Sequence, residues 1–333
     1  MSIELAIEIL KRGDVVAIPT ETVYGLAGRI DSDLALKKIF TTKKRPFFDP
    51  LIVHVSNIDQ AKKLVLDFPF AAEILTKKFW PGPLTLVLEK SELVSDLITA
   101  GLTRVGIRMP NHPITLSLID KLNIPLAAPS ANKFGKTSPT TSSHVKEEFL
   151  EEQVYVLEGG ECQVGLESTV LFLEQSNNDK NVRFKILRLG MISKQMIVDE
   201  LISNQLNPVE IENFEANLAP GNMKHHYMPN TPLVIIPENE SIENYIDTIK
   251  DKFSQFDISD SNFEFVIPKK FEKYEELKLD ANPSLAAREL YSEMRRLAHL
   301  QNDFIYFKLN TKHHAQEFAP ILDKLKKAAS IIL

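Results

Sequence analysis

In the stretch TRVGIRMP two arginines flank a glycine: Arg104, Gly106 and Arg108. On a strand alternate residues share a face, so these three look one way while Val105 and Ile107 look the other. Two guanidinium forks around a residue without a side chain form a cationic slot suited to a planar carboxylate or a phosphate. A second cationic group, Lys43, Lys44 and Arg45 in TTKKRPFFDPL, is stopped by Pro46. Three adjacent cations repel one another unless an anion joins them, although cations also answer the negative end of a helix. PTETVYGL and GLESTVLFL set Thr20, Glu21 and Thr22, and Glu167, Ser168 and Thr169, at strand ends. There hydroxyls can bind a small polar ligand or cap a helix. His54 in PLIVHV falls opposite Leu51, Val53 and Val55, a place more often structural than catalytic.

Other chemistries are excluded by what the spacing lacks. Gly135-Lys136-Thr137 ends like a phosphate loop, but position 130 is Ser130, where that loop needs a glycine to wrap the phosphates. His225-His226 and His313-His314 are adjacent and point apart on an extended chain, so they lack metal-ligand spacing. No G-x-S-x-G turn supports acyl chemistry. The single cysteine, Cys162, excludes an intramolecular disulfide and a Cys-cluster zinc site.

The elements that must position these residues are legible in outline. Residues 2–13 form an amphipathic helix with Ser2 as N-cap and Gly13 beyond its end. Residues 31–43 form another, capped by Asp31 or Ser32, and a helical stretch from Asn57 to Trp80 breaks near Pro69. Strands are expected at DVVAIP, LIVHV, PGPLTLVL, VGIRM, PLAAP, VYVLE, STVLFLE and FKILRL. This predicts a mixed α/β domain on a large twisted sheet over residues 1–208. Residues 209–231 read as a linker or lid ending in a Pro-bracketed basic-aromatic cluster. Residues 232–333 alternate PLVIIP, a helix at 241–254, FEFVIP, a helix, DFIYFKL and a helix at 320–332. That order predicts a small parallel, Rossmann-like sheet without a dinucleotide turn.

The chain has 333 residues, 44% hydrophobic and 25% charged, with a net charge of −6. Residues 1–208 carry 24 Lys+Arg against 25 Asp+Glu, and residues 209–333 carry 15 against 20. Bulk attraction to nucleic acid is therefore not expected, and a polyanion would need a local basic patch. No apolar run is long enough to span a bilayer, and Glu4 and Glu8 interrupt the N-terminal apolar pattern, so a cytoplasmic protein is expected.

Seven motifs, PTETVYGL, KKRP…PLIVHV, WPGPLTLVL, VGIRMP, APSAN…SPT, GLESTV and ILRLG, stand in this order between residues 19 and 190. They closely resemble the YrdC-type threonylcarbamoyl-AMP synthases. APGNMKHHYMP and NPSLAARELYSEMRRL resemble the long, two-domain form of that family. The resemblance implies a reaction of L-threonine, bicarbonate or CO2 and ATP, with Mg2+, that yields threonylcarbamoyl-AMP and pyrophosphate. A separate transferase then carries the threonylcarbamoyl group to tRNA. By motif, Thr22, His54, Arg108, Ala128 and Ser168 would surround threonine. Lys43, Arg45, Asp49, Arg104, Ser130, Ser138 and Arg188 would contact ATP, with His226 or Tyr227 brought in by the linker. Lys43, Arg45 and Arg108 would supply positioning and charge neutralisation in place of a covalent catalyst. Asp49 departs from the family's usual uncharged residue, and a carboxylate near a triphosphate requires Mg2+ or Lys43 between them. A different class of function, a non-catalytic double-stranded RNA or tRNA binder, remains as the rival. A carbamoyl-transfer module is disfavoured, because the zinc-finger-like segments of such proteins need cysteines that this chain lacks.

Overall fold

The computed structural model describes residues 2–150, 154–176, 179–212, 226–238, 240–255 and 267–333. Two compact units divide the chain: Met1–Lys133 with Pro139–Asn222, and Phe134–Ser138 with Met223–Leu333.

The first unit opens with helix α1 (Ile3–Lys11), where the Ser2 hydroxyl accepts the Leu5 N–H at 3.2 Å as the expected cap. Among its described residues are ten strands, β1 (Val16–Ile18), β2 (Gly25–Arg29), β3 (Ile52–His54), β4 (Leu84–Glu89), β5 (Arg104–Arg108), β6 (Leu126–Ala127), β7 (Tyr155–Val156), β8 (Thr169–Glu174), β9 (Asn181–Arg188) and β10 (Asn207–Glu210). They form one mixed sheet in the order β10-β9-β8-β4-β5-β3-β6-β2-β1-β7. Between them lie α2 (Asp33–Lys43), α3 (Ile58–Lys63), α4 (Phe70–Phe79), α5 (Asp96–Thr99), α6 (Pro113–Leu122), α7 (Ser142–Glu148) and α8 (Lys194–Ser203). Ser32 and Asn57 cap α2 and α3 through their side chains, and Pro69 separates α3 from α4. Strand β10 continues the sheet past residue 208, where the composition had placed the end of the domain. Asn-Pro-Val-Glu has no strand signature, but a proline is tolerated on an edge strand, and β10 pairs with β9 alone.

The period of two in these strands makes two different faces. Val53, Leu84, Leu86, Val105, Ile107 and Leu171 point into the main core against Leu36, Ile39 and Phe40 of α2 and Leu75 of α4. Fully burying one such side chain contributes roughly 1.5–3 kcal/mol. The opposite face is covered at the β1 end by α1 and α6, through Leu10, Leu118 and Ile119 against Val16, Ile18 and Leu126. At β3, β5, β4 and β8 the same face changes character. It carries Ile52, Val87, Val170 and Phe172 in a small apolar cluster. Among them, on the same alternation, stand His54, Arg108, Gly106 and Thr85.

Among its described residues the second unit has four parallel strands, β11 (Leu233–Pro237), β12 (Tyr274–Glu276), β13 (Phe304–Leu309) and β14 (Ala329–Ile332), in the order β12-β13-β11-β14. Helices α9 (Ile246–Ser254), α10 (Pro283–His299) and α11 (Ala319–Ala328) accompany them. The parallel sheet was expected; the element ends were not. Residues 320–332 read as one helix, yet the chain leaves α11 at Ala328 and pairs Ile331 and Ile332 with β11, which suits β-branched residues in a sheet. The strand expected at FEFVIP lies largely outside the described residues.

Residues 134–138 belong to this second unit although they fall inside the stretch expected to be the first domain. Met228 donates its N–H to the Gly135 carbonyl at 2.8 Å, and Thr137 returns one to the Met228 carbonyl at 3.1 Å. The Thr137 hydroxyl donates to the Tyr227 carbonyl at 3.1 Å, and Arg295 donates to the Thr137 carbonyl at 2.5 Å. These pairings are long-range in sequence, so no local pattern announces them.

Candidate active site

The sharp turn between β1 and β2 builds the first half of the site. Thr20 has one hydroxyl proton, and it goes to the Val23 carbonyl at 2.6 Å. The Thr22 hydroxyl, 2.9 Å from Thr20 Oγ1, must therefore donate to it, which leaves the Thr22 lone pairs facing Arg108. Arg108 Nη1 donates to Thr22 Oγ1 at 2.9 Å and its Nε donates to the Gly82 carbonyl at 3.2 Å. Its Nη2 lies 2.6 Å from Glu21 Oε2, an ion pair in which each side chain is only 5% exposed. Strand pairing places His54 directly beside Arg108. Gly106 keeps this stretch of the face open: a Cβ there would stand 3.3 Å from the Thr85 methyl, a tight contact, and 3.5 Å from Ile52, an ordinary one.

Burial, and then the charge of Arg108, pull the His54 imidazole down to about 3, so it is neutral at physiological pH. Its Nδ1 is buried without a hydrogen-bond partner. The folded pKa lies below the unfolded value of 6.5, so the unfolded chain takes up the proton first. Stability is thus fully present above pH 6.5 and falls as the pH drops toward 3, by up to about 1.4 kcal/mol per pH unit from this group. Urea unfolding of the wild type and of His54→Gln at pH 7 and pH 5 checks this: the variant should lose less between the two.

Ser168, at the entry to β8, is the link to the neighbouring cations. Its hydroxyl lies 2.7 Å from Thr85 Oγ1, and Arg188 grips it twice, Nη2 to the hydroxyl at 3.0 Å and Nε to the carbonyl at 3.1 Å. Arg188 stands opposite Val170 in the β8–β9 register, so it faces the same side of the sheet. Gly190 just beyond it allows the close approach, because a Cβ there would sit 2.4 Å from the Thr169 nitrogen. Ala128 continues this face from β6, its N–H donating to the Ile52 carbonyl at 3.0 Å.

The expected phosphate cations occupy three different environments. Lys43, at the end of α2, is 1% exposed and donates Nζ to the carbonyls of Ser130 at 2.6 Å and Asn132 at 2.5 Å. Burial, and then the charge of Arg45, hold its pKa well below the ordinary lysine value. Lys44 turns the chain with φ of +51°, which lets Arg45 fold back on Asp49. Arg45 Nη2 lies 2.8 Å from Asp49 Oδ2, both side chains buried, and the guanidinium also donates to the carbonyls of Asp49 and Pro50. Arg45 is thus paired with Asp49, a partner the sequence did not suggest. Burial raises the Asp49 pKa, against the pull of Arg45, Lys43 and Arg188. Arg104 lies on the same face as Gly106 as expected, 3.1 Å from Glu174 and stacked over the Phe172 ring at 4.6 Å.

The remaining expected contacts lie in the second unit. Ser138 is fully buried there, His226 stands edge-on to Phe134 at 5.9 Å, and Tyr227 stacks on Tyr291 at 5.7 Å. Tyr227 holds φ of +67°, and the Lys324 ammonium lies 5.4 Å from its ring centre. The structure thus gathers Thr22, His54, Arg108, Ala128, Ser168 and Arg188 on one face of the large sheet, with Lys43 bracing the Ser130 loop. Sequence reasoning gave no role to Glu21, Thr85 or the Gly82 carbonyl, all partners of site residues. The only signal for Glu21 was its place between two threonines at a strand end.

A neutral histidine, a buried guanidinium and clustered hydroxyls on one face, next to further cations, suit a small carboxylate and a polyanion. Comparison with known proteins places the chain in a family. Residues 8–190 match the Sua5/YciO/YrdC family, described as telomere recombination, and residues 191–330 match the family described as threonylcarbamoyl-AMP synthase, C-terminal domain. A threonylcarbamoyl-AMP synthase of Pyrococcus abyssi is 38% identical over 255 residues, 76% of this chain and 73% of that protein. One from Bacillus subtilis is 41% identical over 231 residues, 69% of this chain and 65% of that protein. The crystal structure of P. abyssi Sua5 complexed with L-threonine superposes with a TM-score of 0.79 at 31% identity, covering 99% of this chain and 95% of that one. A variant of that protein, with a histidine and the following tyrosine changed to alanine, superposes with a TM-score of 0.77 at 30% identity, covering 99% and 94%. The chain belongs to the Sua5/YciO/YrdC family and, having both matched regions, to its two-domain threonylcarbamoyl-AMP synthases.

Proposed function

We propose that this chain joins L-threonine, CO2 derived from bicarbonate, and ATP into threonylcarbamoyl-AMP and pyrophosphate, the adenylate being consumed by a transferase that modifies tRNA. The observation that carries the reading is Arg108, buried on the sheet face between Thr22 and His54, with a threonine-bound relative of the same two-domain fold. Arg108 receives the threonine carboxylate, while Thr22, Ala128, Ser168 and the neutral His54 enclose the rest of the amino acid. The free amine attacks CO2 to form a carbamate and loses a proton. A carbamate oxygen then attacks the α-phosphorus, and the bond to pyrophosphate breaks.

No step needs a covalent nucleophile; placement and charge do the work. Arg45, Arg104 and Arg188 supply charge for the triphosphate. Lys43 acts on the nucleotide through the Ser130 loop that it pins, with Asp49 orienting Arg45. Ser138, His226 and Tyr227, which the family motifs assign to the nucleotide, lie in the second unit, and His226-Tyr227 is this chain's one His-Tyr pair. Magnesium neutralises phosphate charge when bound. Among the described residues no group of three or more His, Cys, Asp or Glu is placed to hold a metal ion, and Asp49 is engaged by Arg45. The ion would be held largely by the phosphates themselves. No helix among the described residues is long and apolar enough to cross a membrane.

The test is pyrophosphate release and adenylate mass from purified protein with ATP, Mg2+, L-threonine and bicarbonate, each omitted in turn. Product should require all of threonine, bicarbonate and ATP. ATP binding without pyrophosphate in any combination would reject the synthase and favour the RNA-binding reading, which salt-sensitive tRNA binding would then examine.

A further inference from the structure

Among the described residues Glu21 is the carboxylate paired with Arg108, and nothing in the proposed reaction uses it. Its Oε2 lies 2.6 Å from Arg108 Nη2 and accepts the Asn111 N–H at 3.0 Å. Its Oε1 is buried without a hydrogen-bond partner. The main chain fixes it as well, since the Glu21 carbonyl accepts the Val164 N–H at 2.7 Å. The same side chain lines a cleft of about 480 Å³ with Thr20, Asn111, His112, Gly159 and Gln163. Glu21 is thus in contact both with this cleft and with the guanidinium.

A carboxylate against a carboxylate receptor looks self-defeating. The charge count shows otherwise. Arg108 alone would be a buried cation, costly without a counter-ion and attractive to any small anion. Arg108 with Glu21 is a neutral pair, and an amino-acid zwitterion is neutral too. Its carboxylate meets the guanidinium while its ammonium meets the field of the carboxylate, so neither charge is left uncompensated. An anion of the same shape without the ammonium brings a second negative charge to Glu21 and nothing to balance it. Such selection by repulsion of the wrong ligand needs a fixed charge close to the right contact.

Resting on the reading of Arg108 as the carboxylate receptor, we infer that Glu21 is a positioning and specificity-determining residue of the threonine pocket. It holds Arg108 in place through Nη2 and makes the pocket select an α-amino acid over the corresponding deaminated acid.

The experiment is calorimetric binding of L-threonine and of 3-hydroxybutyrate, which is threonine without its amine, to the full chain. Wild type, Glu21→Gln, Glu21→Asp and Arg108→Ala are compared. Glu21→Gln keeps size and hydrogen bonding but removes the charge. It should shift the preference for threonine over 3-hydroxybutyrate by about ten-fold or more toward the hydroxy acid, the order of effect of one nearby charge in a protein interior. Glu21→Asp keeps the charge and should keep the preference even if both affinities fall. An unchanged preference in Glu21→Gln, with affinities for both ligands altered equally or not at all, overturns the inference. Should Glu21→Gln fail to fold, loss of the preference in Glu21→Asp overturns it, and retention supports it. Arg108→Ala separates the two levels: if it still binds threonine as the wild type does, the threonine site itself has been misplaced.

Discussion

Replacing Arg108 with alanine should raise the threonine concentration needed for half-maximal pyrophosphate release by a hundred-fold or more, while the ATP requirement changes by less than about three-fold. The size follows from what the guanidinium does. It is 4% exposed and fixed on three sides by Gly82, Thr22 and Glu21, so a substrate carboxylate meets a donor that is already oriented. Removing one partner of a buried charge pair costs roughly 3–5 kcal/mol, and 1.4 kcal/mol is a factor of ten. The substitution also strands Glu21 as a buried anion, so some loss of stability is expected alongside the binding defect. Arg108→Lys keeps the charge but cannot make the Nε and Nη contacts together, and it should recover only part of the affinity. An unaltered threonine requirement in Arg108→Ala, measured on folded protein, would remove the threonine pocket from this face of the sheet.

Lys43→Met should weaken ATP at least ten-fold and leave threonine within about three-fold. Methionine keeps most of the buried stem and deletes the ammonium. What is lost is the pair of hydrogen bonds to the Ser130 and Asn132 carbonyls, which tie the end of α2 to the loop carrying Ser130. Each buried carbonyl left without a donor costs roughly 1–3 kcal/mol, so the variant should also unfold at lower urea. Lys43→Ala adds a cavity and should be less stable still. The comparison separates two roles for this lysine. Near wild-type ATP affinity in Lys43→Met would mean that the loop holds its place without the pin and that Lys43 serves the fold alone. Arg45→Ala, by contrast, leaves Asp49 buried without the guanidinium 2.8 Å away, so its defect in ATP binding should be lessened by removing the Asp49 charge as well.

The caps and the alternation were legible because they are local. Ser2, Ser32 and Asn57 accept from backbone N–H groups two or three residues into their helices, a geometry fixed by a few adjacent dihedrals. His54 opposite Val53, and Arg104, Gly106 and Arg108 opposite Val105 and Ile107, follow from the strand period alone. Strands β10 and β14 escaped for the complementary reason. Asn-Pro-Val-Glu is a strand only because β9 lies beside it, and Ala-Ser-Ile-Ile leaves a helix only because β11 offers a pairing edge.

The charges of the site divide in the same way. By itself the sequence determined which residues carry charge, which face of each strand they take and, through its ordered motifs, the family and its chemistry. It could not determine their partners. Lys43 reads as a phosphate cation, yet it is turned inward onto two carbonyls 87 and 89 residues away. Arg108 and Glu21 are separated by the whole of β2, β3 and β4 in the chain and by 2.6 Å in the folded protein. Residues 134–138 sit within the first domain's stretch of sequence and pair with Met228 and Arg295. The tertiary structure decided these pairings, because burial and Coulomb interaction depend on distance through space. That distance is set by the order in which β3, β5, β4 and β8 assemble, and the strand period repeats unchanged whatever the order.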